Sequence, residues 1–112
     1  MFRIRKGRLS DTKIIVDFQQ KMAKETEGLI LNKQTVNKGV RAVFRDSRKG
    51  IYYIVEEDGK VAGVLMTIPE WSDWRNTTVL WIHSLYVRPQ SRRKGVFKKL
   101  YQSLKTRVQK SN

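Results

Sequence analysis

The chain has 112 residues, no cysteine and one histidine, which excludes disulfides, thiolate metal ligands, cysteine nucleophiles and a histidine metal cluster. Its length suits one domain with a modest core, and 39% hydrophobic with 10% aromatic residues is a globular composition despite a formal charge of +14. No run is long enough to span a bilayer and Met1-Phe2-Arg3-Ile4-Arg5-Lys6 lacks a signal-peptide core, so a cytoplasmic protein without metal or membrane attachment is expected.

In chain order, Phe2 to Arg5 alternates apolar and basic residues and predicts a first strand. Ser10 or Asp11 then caps a helix carrying Ile14, Ile15, Phe18 and Met22 on one face, which Gly28 ends. A second helix follows Asn32, with Val36, Val40, Val43 and Phe44 at helical spacing, and stops before Arg48-Lys49-Gly50. Ile51 to Val55 and Val61 to Ile68 are β-rich runs flanking Glu57-Asp58-Gly59-Lys60, where Asp-Gly is a strong hairpin signal. Pro69 to Asn76 reads as a polar and aromatic loop, Thr77 to Val87 as a long strand, and Val96 to Val108 as an amphipathic helix. The order β-α-α-β-β-β-α suits an α/β, α+β-like domain with a mixed sheet covered by helices on both sides.

The segment with the most chemistry runs from Trp81 to Tyr101, an apolar strand leading through a basic turn into a helix. Such a turn leaves backbone N–H groups unpaired where the helix dipole favours negative charge, and Arg92, Arg93 and Lys94 add formal charge. A phosphate-bearing ligand is the natural occupant, against the plainer reading of a solvated helix cap.

Arg92-Arg93-Lys94-Gly95-Val96-Phe97 resembles the Q/R-x-x-G-x-G/A signature of the GNAT acetyltransferases, with Phe97 standing where Gly or Ala is usual. The Glu70-Trp71-Ser72-Asp73-Trp74-Arg75-Asn76 segment strengthens the likeness to one bacterial branch of that family. The resemblance implies the N-terminal part of a GNAT acyl-CoA N-acyltransferase fold, with acetyl-CoA as cosubstrate and an amine, on a small molecule or a protein, as acceptor. It also implies that Arg92 to Lys98 hold the pyrophosphate, and that the backbone of Leu85 and Val87, on a bulged fourth strand, holds the pantetheine arm. The family's fifth strand and fourth helix have no counterpart in residues 1–112. An open sheet edge is therefore expected, and with it a homo-oligomer.

Acetyl transfer to an amine needs a base and a donor to the oxyanion. Glu70 is the first candidate base, placed after a strand end beside an aromatic loop that would desolvate it. His83 is the second, although a lone histidine on an apolar strand is more often structural. Glu25 and Glu27 fall in the segment that commonly lines the acceptor pocket in the family. Trp71 and Trp74 offer a cation-binding aromatic wall with Asp73, against a role in pinning the loop to the core, which is the preferred reading for Trp74. Two rivals remain: a domain that binds CoA without chemistry, and a basic nucleic-acid module using the nine cations of residues 88–112. Nucleic acid is disfavoured there because those residues follow a strand-turn-helix cofactor motif.

Overall fold

Four segments rich in β-branched and aromatic residues, Phe2–Lys6 (β1), Ile51–Glu57 (β2), Lys60–Ser72 (β3) and Thr77–Val87 (β4), form one sheet in the order β1-β2-β3-β4. This is a computed structural model, and it describes residues 2–95 together with Lys98 and Gln102. Every described pairing is antiparallel, β2 joining β3 and β3 joining β4 through short hairpin turns; no parallel pair occurs among these strands. Thr12–Glu27 (α1) and Lys33–Arg45 (α2) connect β1 to β2.

Helix α1 ends as its glycine dictates. Gly28 adopts φ 67°, its N–H bonds the Lys24 carbonyl at 3.0 Å, and the Leu29 N–H reaches Ala23 at 3.2 Å. Asn32 caps α2 by accepting from the Thr35 N–H at 2.9 Å. At the start of α1, Asp11 does not cap the helix with its side chain, because its carboxylate is spent on the Arg5 guanidinium at 2.8 and 2.9 Å and on the Arg8 N–H at 2.7 Å. That ion pair ties β1 to the first helical turn and holds the Asp11 carboxyl below its usual range.

Both helices cover the same face of the sheet. Ile15, Val16 and Phe18 of α1 and Val40 of α2 pack on Tyr52, Ile54, Val64, Met66 and Tyr86, with Phe18 edge-on to Tyr86 at 5.3 Å. The opposite face carries Tyr53, Val55 and Leu65, flanked by Ile4, Leu85 and Val87. The helix expected over Val96 to Val108 lies outside the described residues except for Lys98 and Gln102, both helical and exposed.

The loop expected at Pro69 to Asn76 is mostly strand. β3 runs on through Ser72 and β4 resumes at Thr77, with Glu70 opposite Val79, so Glu70 lies within a strand rather than after its end. β2 stops at Ile51 opposite Thr67, and beyond that point β3 pairs only with β4. Pro69 lacks an N–H, yet it sits where no β2 partner needs one. A two-stranded ribbon thus projects past the sheet.

Two bulges adjust the register. Val55 pairs with Gly63 but Glu56 with Val61, leaving Ala62 as the extra residue of β3. Met66 pairs with Ser84 but Thr67 with Ile82, leaving His83 as the extra residue of β4.

Candidate cofactor cleft

The chain leaves β4 at Val87 and is held at once by the first bulge, since the Arg88 N–H donates to the Ala62 carbonyl at 2.8 Å. A single 3₁₀ turn, Pro89–Ser91, follows. Ser91 is fully buried; its Oγ donates to Glu57 Oε1 at 2.6 Å and accepts from Arg88 Nε at 2.7 Å. Arg88 Nη2 and Lys94 Nζ reach the same Glu57 carboxylate at 3.2 and 3.0 Å. Glu57, the last residue of β2, therefore collects three donors from the turn. The Ser91 hydroxyl first, then Lys94 and Arg88, hold its carboxyl down at about 2.

Arg92 makes a second strap on the other side. Its Nη1 and Nη2 donate to Glu25 at 2.6 and 2.8 Å, its Nε donates to the Val87 carbonyl at 2.8 Å, and its guanidinium lies 5.3 Å from the Tyr86 ring centre. This fork joins the end of β4 to the last turns of α1 and keeps the Glu25 carboxyl below its usual range. It also shows that the Val87 carbonyl faces away from β3. Residues two apart on a strand present their backbone to the same side, so Leu85 does likewise.

Past Arg92 the backbone turns left-handed at Arg93 (φ 65°) and again at Gly95 (φ 78°). Among the described residues no carbonyl accepts from the N–H of Arg93, Lys94 or Gly95, and a Cβ added at Gly95 would meet nothing within 4 Å. Arg93 and Gly95 border a cleft of about 440 Å³ between the end of α1 and β4, lined also by Met22, Leu85, Val87 and Lys98 among others. An apolar ledge leading to unpaired N–H groups and cations is the chemistry that a pantetheine arm and a pyrophosphate require, so the residues fit the expected cosubstrate.

The structure thus gathers Leu85, Val87, Arg92, Arg93, Gly95 and Lys98 around one cleft, while Lys94 turns its side chain to Glu57. Val96 and Phe97 lie outside the described residues. Glu25 lines the same cleft but is engaged by Arg92, and Glu27 is exposed at the last position of α1. Glu70, Trp71 and Asp73 belong to the projecting ribbon and do not line the cleft. Val79, opposite Glu70, is six strand residues from Leu85, roughly 20 Å. Among the described residues no three His, Cys, Asp or Glu side chains come together. Glu57 and Ser91, which build the turn, are not singled out by the sequence; their pairing spans 34 positions and leaves no local pattern.

A four-stranded antiparallel sheet with two helices on one face, whose long bulged fourth strand runs into a basic turn, defines the class of α/β domain. The description "Acetyltransferase (GNAT) family" matches residues 17–112. The structure of a possible acetyltransferase from Clostridium difficile 630 is 42% identical, with a TM-score of 0.85 over 95% of this chain and 70% of that one. The chain belongs to the GNAT acetyltransferase family. Two more distant structures share the fold. One is a ribosomal-protein-alanine N-acetyltransferase from Brucella melitensis biovar Abortus 2308, 15% identical, covering 98% of this chain and 73% of that one at TM-score 0.80. The other is a predicted acetyltransferase with acetyl-CoA from Clostridium acetobutylicum, 18% identical, covering 100% and 76% at TM-score 0.73. No curated protein matches the chain. Among the described residues no helix is long and apolar enough to cross a membrane.

Proposed function

We propose that this chain binds acetyl-CoA in the cleft beside β4 and transfers the acetyl group to a primary amine of a small molecule or protein. The observation that carries this reading is the set of N–H groups at Arg93, Lys94 and Gly95 that have no carbonyl acceptor among the described residues, set at the end of an apolar strand ledge. Acetyl-CoA supplies an activated thioester, and its exchange with an amine forms an amide and releases the CoA thiol. The turn's N–H groups and the Arg93 and Lys98 cations hold the phosphates. Arg92 and Glu57 position that turn without having to touch the ligand. Leu85 offers its outward backbone groups and Val87 its N–H to the arm, the Val87 carbonyl being held by Arg92, with the Leu85 N–H aimed at the reacting carbonyl.

The amine must lose a proton to become nucleophilic. Glu70 is the proposed base, and because its partner Val79 lies roughly 20 Å from Leu85 it would act through a chain of several waters along the ribbon and not through direct or single-water contact with the amine. His83 is the second reading, favoured by its place as the bulge residue, two positions from Leu85. The nucleic-acid reading of residues 88–112 loses support at the turn, where Arg88 and Lys94 are taken by Glu57 and Arg92 by Glu25.

Calorimetry with acetyl-CoA and an amine-acetylation assay test the proposal together. Gly95→Pro removes a donor N–H and forbids the positive φ, so binding should vanish with the circular dichroism unchanged; unchanged affinity would overturn the site. Glu70→Gln should lower kcat by about 10²-fold at constant cofactor affinity. If Glu70→Gln is silent and His83→Gln shows that loss, the base is His83.

A further inference from the structure

The cations of the anion turn are mostly paired, whereas those of α2 are not. Between Glu27 and Asp46 the sequence has no acid, and Lys33, Lys38, Arg41 and Arg45 are all exposed, their side chains making no ion pair or hydrogen bond among the described residues. Lys38, Arg41 and Arg45 follow one another at three and four residues, which places them on one helix face. That face borders a shallow groove of about 620 Å³, with Asn37 and Gln34 between the charges. A second groove, of about 540 Å³, shares Lys33 and Asn37 with it and extends the surface to Lys13 on α1. Asp17, the acid bordering that second groove, is paired with Lys21 at 3.0 Å. Just past the helix, Asp46 is matched by Arg48 at 3.0 Å and Lys49 at 3.8 Å, so the positive field continues there.

We propose that the outer face of α2, from Lys33 to Arg45, is a docking surface for the phosphodiester backbone of a nucleic-acid duplex. The 13 residues from Lys33 to Arg45 span about 18 Å end to end, enough to meet several phosphates in succession. The apolar side of α2, Val36, Val40, Val43 and Phe44, is turned to the core, so the outer face has no apolar wedge to enter a lipid layer. The groove along α2 also has no aromatic or aliphatic anchor of the kind around which protein interfaces are built and no base-stacking ring, the aliphatic Ile14 and Val16 lying in the second groove on α1. Cations interleaved with amides suit sequence-independent phosphate contacts. The surface lies outside the set of residues lining the cofactor cleft and is independent of the acetyl-transfer reading.

The test is fluorescence anisotropy of the full chain with a 20-base-pair duplex, in RNA and DNA versions, between 50 and 200 mM salt. Lys38→Gln/Arg41→Gln/Arg45→Gln, checked by circular dichroism, should weaken binding and reduce the slope of log K against log salt by about 2.7, three contacts at 0.9 each. Should the triple variant unfold, Lys38→Gln and Arg41→Gln singly should each reduce it by about 0.9. A preference between RNA and DNA identifies the source of the backbone. No binding to either duplex, unchanged binding by the variants, or an equal loss in Lys105→Gln/Arg107→Gln/Lys110→Gln would overturn the assignment. Equally tight capture of poly-glutamate or of phosphatidylserine vesicles would overturn it in favour of an acidic protein or a membrane.

Discussion

Glu57 holds the anion turn from below: one carboxylate accepts from Ser91, Lys94 and Arg88, and no other acid among the described residues reaches those groups. Glu57→Gln should therefore loosen the turn and weaken acetyl-CoA binding by about tenfold, read by calorimetry, while leaving the sheet's circular dichroism intact. The pH dependence has a definite sign. The Glu57 carboxyl is depressed from 4.5 to about 2, so its contribution is full above about pH 4.5 and is lost as the pH falls from there towards 2. Cofactor affinity in wild type should fall across that window, and the Glu57→Gln variant should lack that component of the fall. A variant with wild-type affinity and the same acid profile would remove Glu57 from the site. The basic turn itself was legible because strand, cations and glycine are adjacent in sequence. Glu57 was not, because its partners lie 31 to 37 positions away and an acid before Asp-Gly reads first as part of a hairpin.

At the scale of elements, the end of β4 that serves the cleft depends on close approach to β3. Gly63 faces Val87, and a Cβ there would stand 2.9 Å from the Tyr86 carbonyl oxygen. Gly63→Ala must push the two strands apart, since backbone cannot step aside as a flexible side chain does. It should cost roughly 1–3 kcal/mol in thermal unfolding and lower acetyl-CoA affinity as Leu85 and Val87 shift. A variant with wild-type stability and affinity would show that this strand end is not set by the glycine. Helix periodicity and caps made α1 and α2 readable: Gly28 and Asn32 act where the sequence puts them. The ribbon at Pro69 to Asn76 was not readable, because proline and polar residues signal a loop unless one knows that β2 has already ended. Nor do the bulges at Ala62 and His83 leave a composition signal; they come from register, which only the pairing reveals.

At the scale of the whole molecule, the β4 edge that the described residues leave without a partner strand has the largest consequence. β4 is 11 residues long, borders no further strand among the described residues, and contains no Lys, Arg, Asp, Glu or Pro. Of the devices that usually blunt an edge, the described residues supply the bulge at His83. Trp81 and Ile82, 55% and 40% exposed, sit on that edge beside the bulge. The positive charge that keeps copies apart lies elsewhere, on α2 and the turn. We therefore expect two copies to pair along residues 77–82, the part of β4 on the far side of the bulge from Leu85 and Val87. Pairing there about a two-fold axis would leave the cofactor ledge free. Light scattering after size exclusion should show a dimer at micromolar concentration, and Ile82→Lys should return it to a monomer with unchanged acetyl-CoA affinity. A wild-type chain that stays monomeric and soluble up to high concentration would mean that this edge is not a self-association surface. In that event the bulge alone would be the protection against strand addition, and deletion of His83 should then bring on the association that the wild type resists.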